Sequence, residues 1–312
     1  DVLAEWVERA PQDRDALRTL REVDTAAERW ADVARHEARL VEVEEGEEQV
    51  RAALGLAEAC RRLEQPAEAR AGLEYALEAQ PGQPQLFGAL KALYEEIGAN
   101  RELAAILLQE AQESEDPEAR FDAFRRAGDL LIAEGDAEGA LGPLAEAAQI
   151  KPDDHELTIS LADAYMGSER LQEAVELLQA AIGGFKRRRS PQLAAMQLRM
   201  ARIAGISGDP ETQKEWLGVA LDADKNNGEV AAELAELAIE LGDDDTALKA
   251  LRVVTLQKTP GPMSKAMAFL RQAQIAHRQG DGQKAVLWAR RARLEDDQLD
   301  EAQRFLEELG EA

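Results

Sequence analysis

Cysteine and aromatic side chains are the scarcest features of this 312-residue sequence, which has one cysteine, Cys60, and 4% aromatics. A single cysteine excludes an intramolecular disulfide and any multi-cysteine zinc site. Strand-favouring residues never alternate with polar ones over a useful length, which removes a sheet from the expected fold. No apolar run is long enough to span a bilayer, and no hydrophobic signal core opens the chain. Histidine, a common general base and metal ligand, occurs only at His36, His155 and His277, far apart along the chain. Glycine-rich phosphate loops, nucleophile elbows and Cys-x-x-Cys pairs are also missing. The expectation is a non-enzymatic protein without metal or cofactor.

Abundance lies in Ala, Leu, Glu and Arg, the composition of amphipathic helices packed through small side chains. The formal net charge is −25. Such a surface is a poor match for nucleic acid, whose binding needs cations to displace counterions, and for an anionic membrane face. Its complement is a basic protein surface or peptide, with salt-sensitive encounter. Solubility alone also accounts for an acidic balance. A cytoplasmic location is expected. The chain opens at Asp1 inside a helical pattern, so its first ten residues read as half of a cut unit.

An internal similarity recurs at a shift of 34 residues. Leu161-Ala162-Asp163-Ala164-Tyr165, followed by Ala174, Leu178 and Ala181, superimposes on Ala127-Gly128-Asp129-Leu130-Leu131, followed by Ala140, Leu144 and Ala147. In this spacing the chain resembles the tetratricopeptide repeat family, whose unit is two antiparallel helices. The resemblance implies an all-α fold, an α-solenoid of about eight two-helix repeats in a right-handed superhelix with a C-terminal capping helix. Anchoring on the family's small residue at repeat position 20 selects Val33, Ala69, Ala104, Ala140, Ala174, Gln213, Ala247 and Ala285. Position 8 selects Arg21, Ala57, Lys91, Gly128, Ala162, Ala201, Ala235 and Ala273. Small residues there let the two helices of a unit approach closely. Arg21 and Gln213 depart from that pattern.

Turn chemistry agrees with the register. Gly98, Gly135, Gly208, Gly242 and Gly280 fall where first helices end, as left-handed terminators. Pro66 and Pro210 fall where second helices begin, and Pro81, Pro117 and Pro152 separate units. The expected organisation is one solenoid over 1–312. It comprises a half unit at 1–10, repeats at about 14–46, 47–83, 84–116, 117–153, 154–190, 191–226, 227–261 and 262–297, and a cap at 299–309. Longer links at 183–191 and 259–262 are candidate seams.

Two local patterns hint at metal chemistry and fail on spacing. His155-Glu156 opens like a zincin motif, but Ile159 stands where the second histidine belongs. Asp222 to Glu233 resembles a calcium loop, yet its sixth position is Asn227, with Gly228 one residue late. Asp243-Asp244-Asp245 suits a helix start, where the macrodipole favours negative charge. Lys186, Arg187, Arg188 and Arg189 stand out as a basic cluster. They read either as a solvated helix end or as a secondary contact for phosphate or an acidic partner patch.

The family resemblance implies a ligand on the inner surface lined by first helices. Carried onto this sequence, the partner-binding residues are Asp129, Ile132, Ile159, Asp163, Met166, Leu198, Arg202, Glu236, Ile239, Met267 and Leu270. The family's chaperone-binding members clamp a terminal carboxylate with Lys and Asn at positions 5 and 9. No repeat here has Asn at position 9, so that mode is rejected. An acidic ladder beside an apolar stripe is expected to dock a basic or amphipathic protein or peptide, with Met side chains as adaptable contacts. Two other readings are an assembly or spacer module that homo-oligomerises or positions fused domains, and an effector or regulator of a small GTPase in bacterial polarity or motility. The latter rests on similar texture in the long acidic arrays of gliding bacteria.

Overall fold

The computed structural model describes residues 2–185 and 189–311, with side chains from residue 5 onward. Eighteen helices and no strand occur among the described residues, as the composition requires. They fall into two compact units, Asp1–Asp153 and Asp154–Ala312. Unit 1 contains α1 (Val2–Arg9), α2 (Arg14–Ala26), α3 (Trp30–Val43), α4 (Gly46–Leu63), α5 (Pro66–Ala79), α6 (Pro84–Ile97), α7 (Asn100–Glu113), α8 (Pro117–Ala133) and α9 (Ala137–Ile150). Unit 2 contains α10 (His155–Gly167), α11 (Leu171–Gly184), α12 (Pro191–Ile206), α13 (Pro210–Ala223), α14 (Gly228–Glu240), α15 (Asp244–Leu256), α16 (Lys265–Arg278), α17 (Gly282–Glu295) and α18 (Asp300–Glu308). Within each unit, successive helices pack as pairs, and each pair packs on the next: an α-solenoid.

Local chemistry sets the helix ends. Asp136, Asp154, Asp209, Asn227, Asp243 and Asp281 cap helix starts by accepting a hydrogen bond from the backbone N–H three residues on. The acidic and Asn residues of the calcium-like and Asp243-Asp244-Asp245 segments are thus partly caps. Asn227 holds Val230 N–H at 3.1 Å, and Asp243 holds Thr246 N–H at 3.1 Å. The backbone N–H of Thr246 and then its side-chain hydroxyl, more than the Lys214 ammonium, keep the Asp243 carboxyl below the usual range. Gly98, Gly135, Gly208, Gly242 and Gly280 adopt positive φ, as their placement predicts. Glu28, Glu64 and Glu169 take the same left-handed conformation without glycine's freedom.

The small-residue rule holds best from α8 onward. Gly128, Ala162, Ala201, Ala235 and Ala273 are sealed, and a Cβ on Gly128 would stand 2.5 Å from Leu144 Cδ2. It fails in α4 and α6. Ala57 lines a cleft, and Lys91 reaches Glu110 Oε2 at 2.6 Å. In α4 it is Leu56 that packs into the next helix, filling the space beside Gly72. In unit 2, α18 buries Ala302, Phe305 and Leu306 against Leu270, Ala273, Ala289 and Ala292, capping the last pair.

Candidate functional site

In unit 2, first helices α14 and α16 line an open cleft of about 830 Å³. Glu233, Glu236 and Glu240 lie along one side of α14, because steps of three and four residues return to the same helix face. The lining also includes Met263, which is buried in the core, half-buried Met267, Arg271 and Gln213 of α13. Ser264 caps α16 by accepting from Met267 N–H at 3.0 Å, which fixes where that helix, and so Met267, begins.

The carboxylates differ in their engagement. Arg271 Nε donates to Glu236 at 3.2 Å. Arg202 donates from Nε to Glu233 at 3.1 Å and from Nη2 to Glu229 at 2.6 Å. Glu240 is exposed and has no ion-pair partner among the described residues. The cleft lining therefore carries three carboxylates against one guanidinium, beside two thioether side chains.

Of the partner-binding residues expected from the sequence, Glu236 and Met267 meet in this cleft, with Arg202 tied to its edge through Glu233. Ile239 is half-buried against the core of the same helix pairs. Ile159 and Met166 pack on the cluster around Leu178 and Met196. Asp163 is held by Arg199 through two bonds of 3.0 and 2.8 Å, so this rung of the ladder is already neutralised. Leu198 and Leu270, 1% and 0% exposed, must be removed from the binding set. The helices packed on either side of α12 and α16 cover them completely. Asp129 is exposed and Ile132 half-buried on α8, in unit 1. Of the basic cluster, Lys186, Arg187 and Arg188 lie outside the described residues, while Arg189 is exposed ahead of α12.

Glu233, Glu240 and Met263 were missed by the sequence reading. The helical spacing of Glu233 and Glu240 from Glu236 carried that signal, whereas Met263 lies in the link before α16 and has no periodicity to betray it.

The histidines have structural contacts. His36 Nε2 lies 3.0 Å from Asp24 Oδ2, His155 stacks on Phe185 at 4.6 Å, and His277 meets the edge of Phe305 at 5.9 Å. Among the described residues no group of three or more His, Cys, Asp or Glu side chains is placed to hold a metal ion. No helix there is long and apolar enough to cross a membrane.

Paired helices, small crossing residues and left-handed terminators define a helical-repeat protein. Residues 131–203 match the model of the tetratricopeptide repeat family. The match is confined to those residues, and over them the chain is similar to tetratricopeptide repeats. No curated protein matches the sequence. Among solved structures, a tetratricopeptide repeat protein from Parabacteroides merdae is 12% identical, with 83% of this chain and 97% of that one covered and a TM-score of 0.47. PilF of Pseudomonas aeruginosa is 15% identical, with 82% and 96% covered and a TM-score of 0.42. MamA from Desulfovibrio magneticus is 18% identical, with 57% and 96% covered and a TM-score of 0.40.

Proposed function

We propose that this chain is a non-catalytic scaffold that holds a basic, amphipathic protein segment in the α14–α16 cleft. The observation that carries the reading is the cleft itself: about 830 Å³, open, lined by Glu233, Glu236 and Glu240 together with Met263 and Met267. A helix with Leu or Met on one edge and Lys or Arg on the other matches that lining. The unbranched thioethers adapt to apolar side chains of differing shape. The carboxylates favour cations, and Glu240 does so without first giving up an internal partner.

A photo-crosslinking residue at Met267 of the full chain, used in native lysate, tests this. Crosslinks to a basic protein segment, lost when Glu236→Lys and Glu240→Lys are added, support it. Crosslinking that is absent, or unchanged by the two substitutions, refutes it.

A further inference from the structure

Charge is distributed unevenly along the chain. Unit 1 holds 35 of the 62 acidic residues and 17 of the 37 basic ones, a net of −18, leaving −7 for unit 2. Within unit 2, residues 246–294 contain ten Lys or Arg and a single acidic residue, Asp281. The cluster at 186–189 is therefore not the only basic concentration. The second helices α15 and α17 repeat one pattern on their solvent faces: Lys249, Arg252 and Leu256 on α15 correspond to Leu287, Arg290 and Leu294 on α17. Leu256 is 80% exposed and Leu294 86%, at equivalent positions of adjacent repeats. Exposed leucines scattered singly need no explanation, but leucines recurring in register beside arginines form an apolar stripe with basic flanks. Lys249 and Arg252 have no ion-pair partner among the described residues, and Arg290 has only an exposed pair with Glu311.

Unit 1 carries the complementary surface. A cleft of about 500 Å³ opens between α4, α5 and α6, with apolar walls that include Leu54, Leu93 and Ile97. Its rim bears Glu58, Glu64 and Glu96 against Arg61. Glu58 is satisfied by Arg61 and Arg62, whereas Glu64 and Glu96 are exposed and have no ion-pair partner among the described residues.

We infer that the basic, leucine-bearing face of α15 and α17 docks into the acidic α4–α6 cleft of a second copy of this chain. The two surfaces differ, so the contact is heterologous, and repetition produces head-to-tail chains instead of a closed symmetric dimer. Two copies of net charge −25 repel at long range, but at physiological salt that repulsion is screened beyond about 8 Å. Contact charges and the buried leucines then decide the outcome. This surface is separate from the α14–α16 cleft, so each proposal stands or falls without the other.

Sedimentation velocity of the full chain from about 1 to 200 µM at physiological salt provides the test. Wild type is expected to show a weight-average mass that climbs with concentration and falls back to one chain at high salt. Arg252→Glu/Arg290→Glu and Glu64→Lys/Glu96→Lys should each be monomeric alone, with unchanged circular dichroism. Mixed in equal amounts, the first variant supplies an intact acidic cleft and the second an intact basic face, so the two intact surfaces complement each other. The mixture should therefore associate through that wild-type contact although neither variant does so alone; a mixture that stays monomeric overturns the proposal. A wild type that is monomeric throughout, or variants that associate as wild type does, overturns the proposal. So does association that survives high salt unchanged.

Discussion

Replacing Glu37 by Gln removes a charge that the fold of unit 1 accommodates poorly. Glu37 is 5% exposed on α3, and its Oε1 presses on α4 so closely that a Cβ at Gly55 would stand 2.3 Å away. Its Oε2 has no hydrogen-bond partner, and Arg21 Nε stays 3.9 Å from Oε1. The other ionisable groups in this region are engaged elsewhere: Asp24 with His36 and Arg29, and Glu44 with Arg18. Burial pushes the Glu37 carboxyl from the ordinary 4.5 up to about 7, against the weaker pull of Arg21. At 1.36 kcal/mol per pH unit, ionised Glu37 costs about 3 kcal/mol. The unfolded chain gives up this proton first, so the stabilisation is full below 4.5 and lost as pH rises towards about 7. Glu37→Gln keeps the shape and abolishes the ionisation. Because solenoids open locally, hydrogen exchange of α3 and α4 amides is the appropriate assay. The variant should match wild type near pH 4 and be roughly 100-fold better protected near pH 8, the equivalent of about 3 kcal/mol. Equal protection at both pH values, or weaker protection of the variant near pH 8, refutes the reasoning.

Two further substitutions test the packing and the turns. Gly128→Ala places a methyl 2.5 Å from both Leu144 Cγ and Cδ2, so urea unfolding should show a loss of about 1–3 kcal/mol from overpacking. Glu169→Gly relieves a left-handed residue at φ 61° at the end of α10 and should raise stability by up to about 1 kcal/mol in the same assay. An unchanged midpoint for Gly128→Ala, or a lowered one for Glu169→Gly, contradicts the corresponding account.

Part of this protein is written locally. The helix starts at Asp209, Asp243 and Asp281 and the ends at Gly208, Gly242 and Gly280 are legible because a cap and a left-handed terminator act within a few residues of themselves. The repeat was legible for the same reason, since small residues at a 34-residue spacing mark helix crossings in α8, α10 and later first helices. That rule lost its grip in α4 and α6, where which face meets the neighbour is set by helix rotation. A small side chain at the expected position then lines a cleft instead of a crossing, as Ala57 does.

The acidic ladder shows the division most plainly. Its residues were visible as a pattern, but their electrical state depends on partners one repeat away: Asp163 with Arg199, Glu233 with Arg202, and Glu236 with Arg271. Pairing over such a separation is decided by how first helices are turned against each other, so composition alone overstates the free negative charge. The same holds for burial. Leu198 and Leu270 satisfy the helical period of a binding face yet are covered by adjacent helices, whereas Leu256 and Leu294 stand in solvent. Sequence by itself determined helices, repeats and turns, because those follow from short-range backbone chemistry. Tertiary structure alone decided which charges remain free and which apolar side chains are exposed, because both depend on what the neighbouring helix covers.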